Sequence, residues 1–214
     1  MAKAVKRESS KGSGRGQART RLARRAVIDA GRALFVERGY VATTVEAISD
    51  RSDVPVATVY RLFSSKLGIL TALLDTSIAG DDQPLAMLER QDIASLLDER
   101  EPHKLLSGFA EVTTAINERT NDVYQVLASA AGSDPSAAQL LDELRQQRDR
   151  GQGQIARALA RACALKPGLR ERDAADLIHA LMSPEIYHLL VRDRGWDPER
   201  YRQWLATTLT QQLS

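Results

Sequence analysis

The feature that most constrains this sequence is a pair of short helical segments joined by a very short turn. The spacing from Thr43 to Glu46 fits a capping box, in which the Thr43 hydroxyl accepts a hydrogen bond from the Glu46 amide. The capping box predicts a helix that begins at Thr44 and ends in the polar stretch DRSD. Pro55 suits a first helical turn, so a second short helix is expected from Val56 to Phe63.

Longer helices are predicted on both sides of this pair. Upstream, apolar residues recur at three- and four-residue steps from Arg19 until Gly39, a residue typical of helix ends. Downstream, a fourth helix is expected from Lys66 to Ala79, with Gly80 closing it. A long supporting helix followed by two short helices and a tight turn describes a helix-turn-helix motif. Any pair of short amphipathic helices can also pack as a simple helical hairpin.

The remaining two thirds of the chain also favours helices, and no strand alternation occurs in it. Polar breaks are expected at Asn121-Asp122 and at Ser183-Pro184, among other places. The last two helical segments are expected at 172–194 and 198–213. The predicted fold class is therefore all-α. We expect a disordered basic arm over 1–18, a helix-turn-helix domain over 19–66 and a second helical domain over 67–214.

The charge distribution separates the two predicted domains more clearly than the net charge of +2. Residues 1–70 contain 14 Lys and Arg against six Asp and Glu, whereas residues 71–214 contain 16 against 22. A cationic region attracts a polyanion through counterion release, so double-stranded DNA is the leading partner. A membrane surface is the competing partner, but the sequence has no basic amphipathic anchor or myristoylation signal.

Patterns for catalysis, metals and cofactors are missing from the sequence. His103, His179 and His188 have no metal-ligand spacing, and Cys163 is the only cysteine. Neither a phosphate-binding glycine loop nor a G-x-S-x-G elbow occurs. The apolar runs are too short for a membrane span, and no secretion signal precedes them. We therefore predict a cytoplasmic protein that is not an enzyme and needs no cofactor or metal.

The stretches AVIDAGRALFVERGYVATTVEAIS and VPVATVYRLFSSKLGILTALL resemble the N-terminal domain of the tetracycline-repressor (TetR) family of bacterial transcription regulators. The glycine-aromatic pair, the Thr-Thr helix start, the T-x-Y-x-x-F core and the S-K-x-x-x-L opening (Ser65, Lys66, Leu70) all resemble that family in spacing. The resemblance implies a homodimeric repressor that binds an inverted-repeat operator and is released by a small molecule. The rivals are a helical ligand-binding protein or enzyme without a DNA role, and an effector-independent DNA-binding protein.

By position, the resemblance gives Thr44 and Tyr60 phosphate contacts and puts Lys66 beside the DNA backbone. Val56, Ala57 and Thr58 fall where the family meets the major groove, and Arg61 is a further outward candidate on the same helix. As alternatives, Tyr60 is part of the domain core and Lys66 is an ordinary solvated lysine.

Two departures from the family pattern affect the turn. Asp53 replaces a frequent glycine and tolerates a left-handed backbone, whereas Pro55 replaces a capping serine and supplies no hydroxyl.

Two further sets of residues are predicted in the second domain. One lines a pocket for a mostly apolar effector or, alternatively, is a core stripe: Phe109, Thr113, Asn117 and Tyr124. The other forms a homodimer interface or, alternatively, completes the monomer core: Leu177, Leu181, Ile186, Leu189 and Trp204. The fourth helix is expected to connect the two domains physically.

Overall fold

The computed structural model describes residues 9–80 and 91–214, and this part of the chain contains helices and no strand. The helices are α1 (Ser9–Ala42), α2 (Val45–Ser52), α3 (Val56–Phe63), α4 (Lys66–Ala79), α5 (Gln91–Leu97), α6 (Pro102–Ala131), α7 (Pro135–Arg161), α8 (Glu171–Leu181), α9 (Pro184–Tyr187), a π-helix (His188–Asp193) and α10 (Pro198–Leu213). The predicted all-α fold class is confirmed. The chain divides into two compact units, with the boundary after Leu74.

The first unit has a core built where α1 to α4 meet. Its buried side chains alternate along each helix with exposed polar ones, as the helical periodicity requires, and they include Val27, Leu34, Phe35, Ile48, Val59, Phe63, Ile69 and Leu70. Leu22, which belongs to the apolar pattern of α1, is 71% exposed. The core begins only at Val27, so the first half of α1 has no apolar surface of this unit to pack against.

Two glycines allow the helices of the first unit to approach one another closely. A Cβ atom on Gly68 would lie 2.0 Å from the carbonyl oxygen of Phe63, the last residue of α3. A Cβ on Gly31 would lie 2.9 Å from the side chain of Ile69. The first contact involves backbone that cannot rotate away, so the tight α3–α4 junction requires glycine at position 68.

The second unit is organised around α6, which packs against α10, α7, α5 and α9. The core contains buried residues from α6, α7, α8 and α10, including Leu105, Leu106, Phe109, Ile155, Leu159, Ile178, Tyr201, Leu205 and Leu209. At its end, the phenol rings of Tyr187 and Tyr201 meet edge to face, with their centroids 4.9 Å apart.

The predicted helix limits in the second unit were wrong in one place. α6 continues through Asn121-Asp122, because Asn121 is buried and pairs with His188 through Oδ1 and Nδ1 at 3.2 Å instead of breaking the helix. The helix expected at 172–194 is divided between Leu181 and Pro184, at the polar break predicted for Ser183-Pro184. Pro184 has no amide hydrogen, and the Ser183 hydroxyl caps the next helix by accepting from the Ile186 amide at 3.2 Å.

The predicted domain limits differ from the compact units. α1 already begins at Ser9, within the arm expected over 1–18; residues 1–8 lie outside the described part. Helix growth costs much less than nucleation, so a strong helix extends into weaker flanking sequence. The first unit also extends past 66 to Leu74, because Ile69, Leu70 and Leu73 of α4 are buried.

Length and hydropathy bear on whether any described helix could span a membrane. None of these helices alone is long and apolar enough to cross a bilayer, while the bent pair α3 and α4 meets the length and composition test when taken together.

We expect Gly68→Ala to lower the free energy of unfolding by about 2–3 kcal/mol, because the new methyl group overlaps a backbone carbonyl. The matched control is Gly151→Ala in the interior of α7, where nothing lies within 4 Å of the added Cβ. That control should gain roughly 0.5–1 kcal/mol from its higher helix propensity. Chemical denaturation of the intact chain measures both changes, and equal midpoints for Gly68→Ala and the parent would contradict the close approach.

Candidate nucleic-acid interface

The turn between α2 and α3 is held by one side chain and one unusual backbone conformation. Asp53 has φ 54° and ψ 31°, the left-handed region that aspartate tolerates better than most residues. The buried Ser49 hydroxyl donates to the Val54 carbonyl at 2.7 Å, and the Val54 amide donates back to the Ser49 carbonyl at 3.3 Å. The turn therefore forms without the glycine that is frequent in the family.

The start of α2 differs from the predicted capping box by one residue. Thr44, not Thr43, is the N-cap, and its hydroxyl accepts from the Ala47 amide at 3.1 Å. Thr43 is fully buried, and its hydroxyl donates to the Gly39 carbonyl at 2.8 Å. Because Gly39 leaves helical geometry, with φ 77° and ψ 171°, its neighbouring carbonyls need partners outside α1. The Thr43 hydroxyl is therefore used at the end of α1, and Thr44 lies exposed at the start of α2.

One side of α3 is buried and the other is open, as expected from the sequence. Val59 and Phe63 are buried, while Leu62 is half-buried. The predicted DNA-facing set is at least partly exposed: Val56 and Thr58 are half-buried, and Ala57, Tyr60 and Arg61 are exposed. Tyr60 is 45% exposed, which disfavours the alternative that its ring fills the core. Pro55 precedes the helix without a side-chain cap, as predicted.

Lys66 occupies a different environment from the one the resemblance implies. Its ammonium donates to the Tyr40 carbonyl at 2.7 Å and lies 4.2 Å from the centroid of the Tyr40 ring. The side chain thus connects the start of α4 to the end of α1. No sequence pattern predicted this contact, because the two residues are far apart along the chain and neither belongs to a paired motif.

Several arginines are exposed on this unit. Arg19, Arg21 and Arg61 have exposed side chains and form no ion pair with a described residue. Arg24, which the sequence patterns did not single out, stacks 4.8 Å from the Phe63 ring centroid and points toward the Leu62 carbonyl. The α1 and α3 surfaces therefore present positive charge that is not neutralised locally.

All four residues predicted to bind an effector lie in α6 and are buried. The Tyr124 hydroxyl donates to Glu185 at 2.7 Å, a carboxylate that sequence patterns did not reveal because it lies 61 residues away. The side-chain nitrogen of Asn117 and the buried hydroxyl of Tyr201 in α10 make no well-formed hydrogen bond with a described residue, although the two groups interact with each other. Phe109 and Thr113 complete the buried stripe.

Two open grooves border α6, and none of the four predicted effector residues lines them. One, of about 560 Å³, lies against the start of α10; the other, of about 570 Å³, lies against α5. Both are bordered by Glu111 and Ala115. Within the described residues no group of histidine, cysteine and carboxylate side chains is arranged to hold a metal ion.

The residues predicted to form a dimer interface are spread over α8, α9, the π-helix and α10. Leu177, Leu181, Ile186 and Trp204 are half-buried and pack partly against the core of the second unit. Leu189 is 47% exposed and thus keeps almost half of its surface open to contact.

Residues 27–73 match the profile of the family described as "Bacterial regulatory proteins, tetR family". This range begins in α1 and ends in α4, so it contains the complete α2–turn–α3 arrangement. Over this range the chain is similar to the tetR family. The motifs that carried the resemblance all lie inside the matched range.

The proteins similar to this chain include transcription regulators. The "Uncharacterized HTH-type transcriptional regulator YvkB" of Bacillus subtilis is 42% identical over 48 residues, which cover 22% of this chain and 25% of the relative. The chain thus matches about a quarter of the length of its curated relatives. Among solved structures, NalD of Pseudomonas aeruginosa, "the secondary repressor of MexAB-OprM multidrug efflux pump", is 21% identical with a TM-score of 0.68, covering 91% of this chain and 98% of its own. A "SmeT-Triclosan complex" is 18% identical with a TM-score of 0.63, covering 87% and 89%. At these identities the structural likeness shows the fold alone.

The hydrogen bond between Tyr124 and Glu185 makes the stability of the second unit depend on pH. Burial raises the pKa of the Glu185 carboxyl, but the Tyr124 hydrogen bond and the charges of Arg148 and Arg145 outweigh it, so the pKa lies below its ordinary 4.5. A carboxyl with a lowered folded-state pKa stabilises the fold above its ordinary pKa, and this stabilisation is lost as the pH falls through the folded-state value.

We therefore expect Tyr124→Phe to cost about 1 kcal/mol of unfolding free energy at neutral pH, with the cost shrinking as the pH falls below 4.5. Denaturant unfolding of parent and variant across this range measures the difference. Tyr187→Phe is the control, because it removes another phenol hydroxyl that donates to no carboxylate in the described structure. A cost that is the same at both ends of the pH range would show that Glu185 is not the partner.

Proposed function

We propose that the chain is a homodimeric transcription regulator that binds an inverted-repeat operator and acts as a repressor released by a small, mostly apolar molecule. The observation that carries the DNA-binding part is the accessible side of α3, formed by Val56, Ala57, Thr58, Tyr60 and Arg61. This helix follows a turn that is held by hydrogen bonds, and it lies within the range matched by the tetR family profile. The rest of the proposal depends on this part.

α3 has the right shape and chemistry to enter the major groove. A helix fits the groove width, and Val56 and Ala57 are small enough for close approach and contact with thymine methyl groups. Thr58 and Arg61 can hydrogen-bond to base edges from the same side of α3. Sequence preference should therefore depend on these two polar side chains more than on their apolar neighbours.

Phosphate contacts are proposed on both sides of this helix. Thr44 lies exposed at the start of α2, where free amides and the helix dipole favour an anion. Tyr60 has an exposed ring on α3 and can donate its hydroxyl to phosphate. These contacts orient the helix in the groove and do not read sequence.

DNA binding is tested with a duplex recovered from a randomised pool by repeated selection on the protein. The logarithm of affinity should fall linearly with the logarithm of salt concentration, and Arg61→Met should reduce that slope by ~0.9 if Arg61 neutralises one phosphate equivalent. Thr58→Ala should change the sequence preference of the selected pool while leaving the slope unchanged.

The matched control is Arg161→Met, which removes one exposed charge from the end of α7. Its affinity and salt slope should equal those of the parent. Failure of the parent to retain any duplex at low salt would refute the DNA-binding proposal and favour a helical protein with another role.

Homodimerisation is supported by the geometry of inverted repeats and by the open apolar side chains of the second unit. One recognition helix reads only a few base pairs, so two are needed, held about 34 Å or a multiple apart. Leu177 and Leu181 lie one helical turn apart on α8 and are only half-buried. With Ile186, Leu189 and Trp204 they offer apolar surface that a two-fold related copy would cover.

Sedimentation of the intact chain at micromolar concentration should show a dimer. Leu181→Glu should shift it toward monomer, because a charge would be buried without a partner in the interface. Ala180→Glu adds the same charge at the exposed neighbouring position on α8 and should remain a dimer. A monomeric parent under these conditions would refute the proposed interface.

The effector site is proposed at the α6 stripe. The stripe combines apolar surface from Phe109 with the Asn117 nitrogen, which makes no well-formed hydrogen bond, and such a buried polar group is costly until a ligand or water supplies a good acceptor. Triclosan in the complex with SmeT is a small molecule bound to a protein of the same fold. NalD, which is a repressor with the same fold, supports the proposal of a repressor over that of an activator. Release from DNA would require the ligand to prefer one arrangement of the DNA-binding units over another.

A further inference from the structure

Lys66 is the one cation in the predicted DNA-facing set whose charge is engaged inside the first unit. Its ammonium donates to the Tyr40 carbonyl at 2.7 Å, lies 3.5 Å from the Val41 carbonyl and stands over the Tyr40 ring. The residue is half-buried, and the Tyr40 side chain beneath it is 8% exposed. Because the Lys66 ammonium makes these three contacts, it is less available to an anion outside the protein than the ammonium of a solvated lysine.

The carbonyls that Lys66 contacts belong to an interrupted helix end. Gly39 departs from helical dihedral angles, so the carbonyls around it cannot all be satisfied within α1. Two side chains from outside the helix close this end. Thr43 donates to the Gly39 carbonyl at 2.8 Å, with the Leu34 carbonyl at 3.1 Å, and Lys66 donates to the next carbonyl along the chain.

The position of Thr44 depends on this closure. Thr44 directly follows Thr43 and is the N-cap of α2, so the path of the chain from Tyr40 to Thr43 decides where the start of α2 lies. Lys66 fixes that path from α4, which is itself packed tightly against the end of α3 at Gly68. The start of α2 and the end of α3 are therefore positioned from the same short segment of α4.

We propose that Lys66 is a positioning residue, which supports DNA binding by holding the α1–α2 turn and with it Thr44, and not by its own contact with phosphate. This inference rests on the proposed function, because it concerns how that function is carried out. It differs from the role that the family resemblance implies for Lys66. A phosphate contact would remove the charged donor from a carbonyl that has little access to water.

The test compares variants that remove the charge with variants that remove only the turn contact. Lys66→Met keeps the length and apolar stem of the side chain but removes its charge. Thr43→Val has the shape of threonine without the hydroxyl, and Thr43→Ser keeps the hydroxyl as a control. Arg61→Met serves as the comparison for loss of an exposed cation. Each intact variant is titrated with the selected duplex over a range of salt, at a temperature where circular dichroism shows it folded.

We expect Lys66→Met to weaken binding by about tenfold at every salt concentration, which corresponds to ~1.4 kcal/mol. Its salt slope should remain that of the parent, whereas Arg61→Met loses ~0.9 of slope. Thr43→Val should behave like Lys66→Met, and Thr43→Ser like the parent. The double variant with Lys66→Met and Thr43→Val should lose less binding free energy than the sum of the two single losses, because both residues act on one helix end.

A second readout needs no DNA. Hydrogen exchange at the Ala47 and Ile48 amides should be faster in Lys66→Met and Thr43→Val than in the parent, since both amides donate to Thr44 at the start of α2. Failure of the parent to bind DNA would refute the proposed function and leave this readout to judge the positioning role. Parent-like exchange in Lys66→Met overturns the inference, and so does a slope reduced by ~0.9 with Thr43→Val unaffected.

Discussion

The interruption of α1 at Gly39 is the constraint on which the rest of the first unit depends. A left-handed φ of 77° ends the helix where an L side chain would be strained, and it leaves carbonyls that must be satisfied in a largely buried position. Thr43 and Lys66 meet that demand from two different directions. As a result, α1, α2 and α4 are placed relative to one another by hydrogen bonds to one helix end.

The small size of this unit explains why such contacts matter. Each of α2 and α3 has only eight residues, well below the length at which a helix is stable alone, so both depend on packing and caps. Burial of Ile48, Val59 and Phe63 supplies the packing, and Thr44 and Asp53 supply the ends of α2. The exposed side chains of α3 are therefore carried by a helix that its buried side and the preceding turn hold in place. A surface held in this way does not need to contribute to the core, which is the condition for a preformed recognition surface.

Sequence patterns predicted the parts of this structure that depend on local chemistry. The limits of α3 and α4, the left-handed Asp53 and the end at Gly39 all follow from one or two neighbouring residues. Contacts between distant residues were not predictable in this way. The roles of Lys66 and Glu185 depend on partners 26 and 61 residues away, and the break expected at Asn121 was overridden by burial against His188. The N-cap at Thr44 instead of Thr43 has a nearer cause, because the Thr43 hydroxyl donates to carbonyls at the end of α1, four and nine residues back.

The buried α6 stripe shows why a core and an effector site are hard to distinguish by position. Phe109 stabilises the second unit through burial, whereas the Asn117 nitrogen costs stability while it makes no well-formed hydrogen bond. A ligand that accepts a hydrogen bond from Asn117 would remove that cost, but only in an arrangement of the helices that has room for the ligand. Its binding energy would then differ between arrangements of the helices, and only this difference can shift their populations.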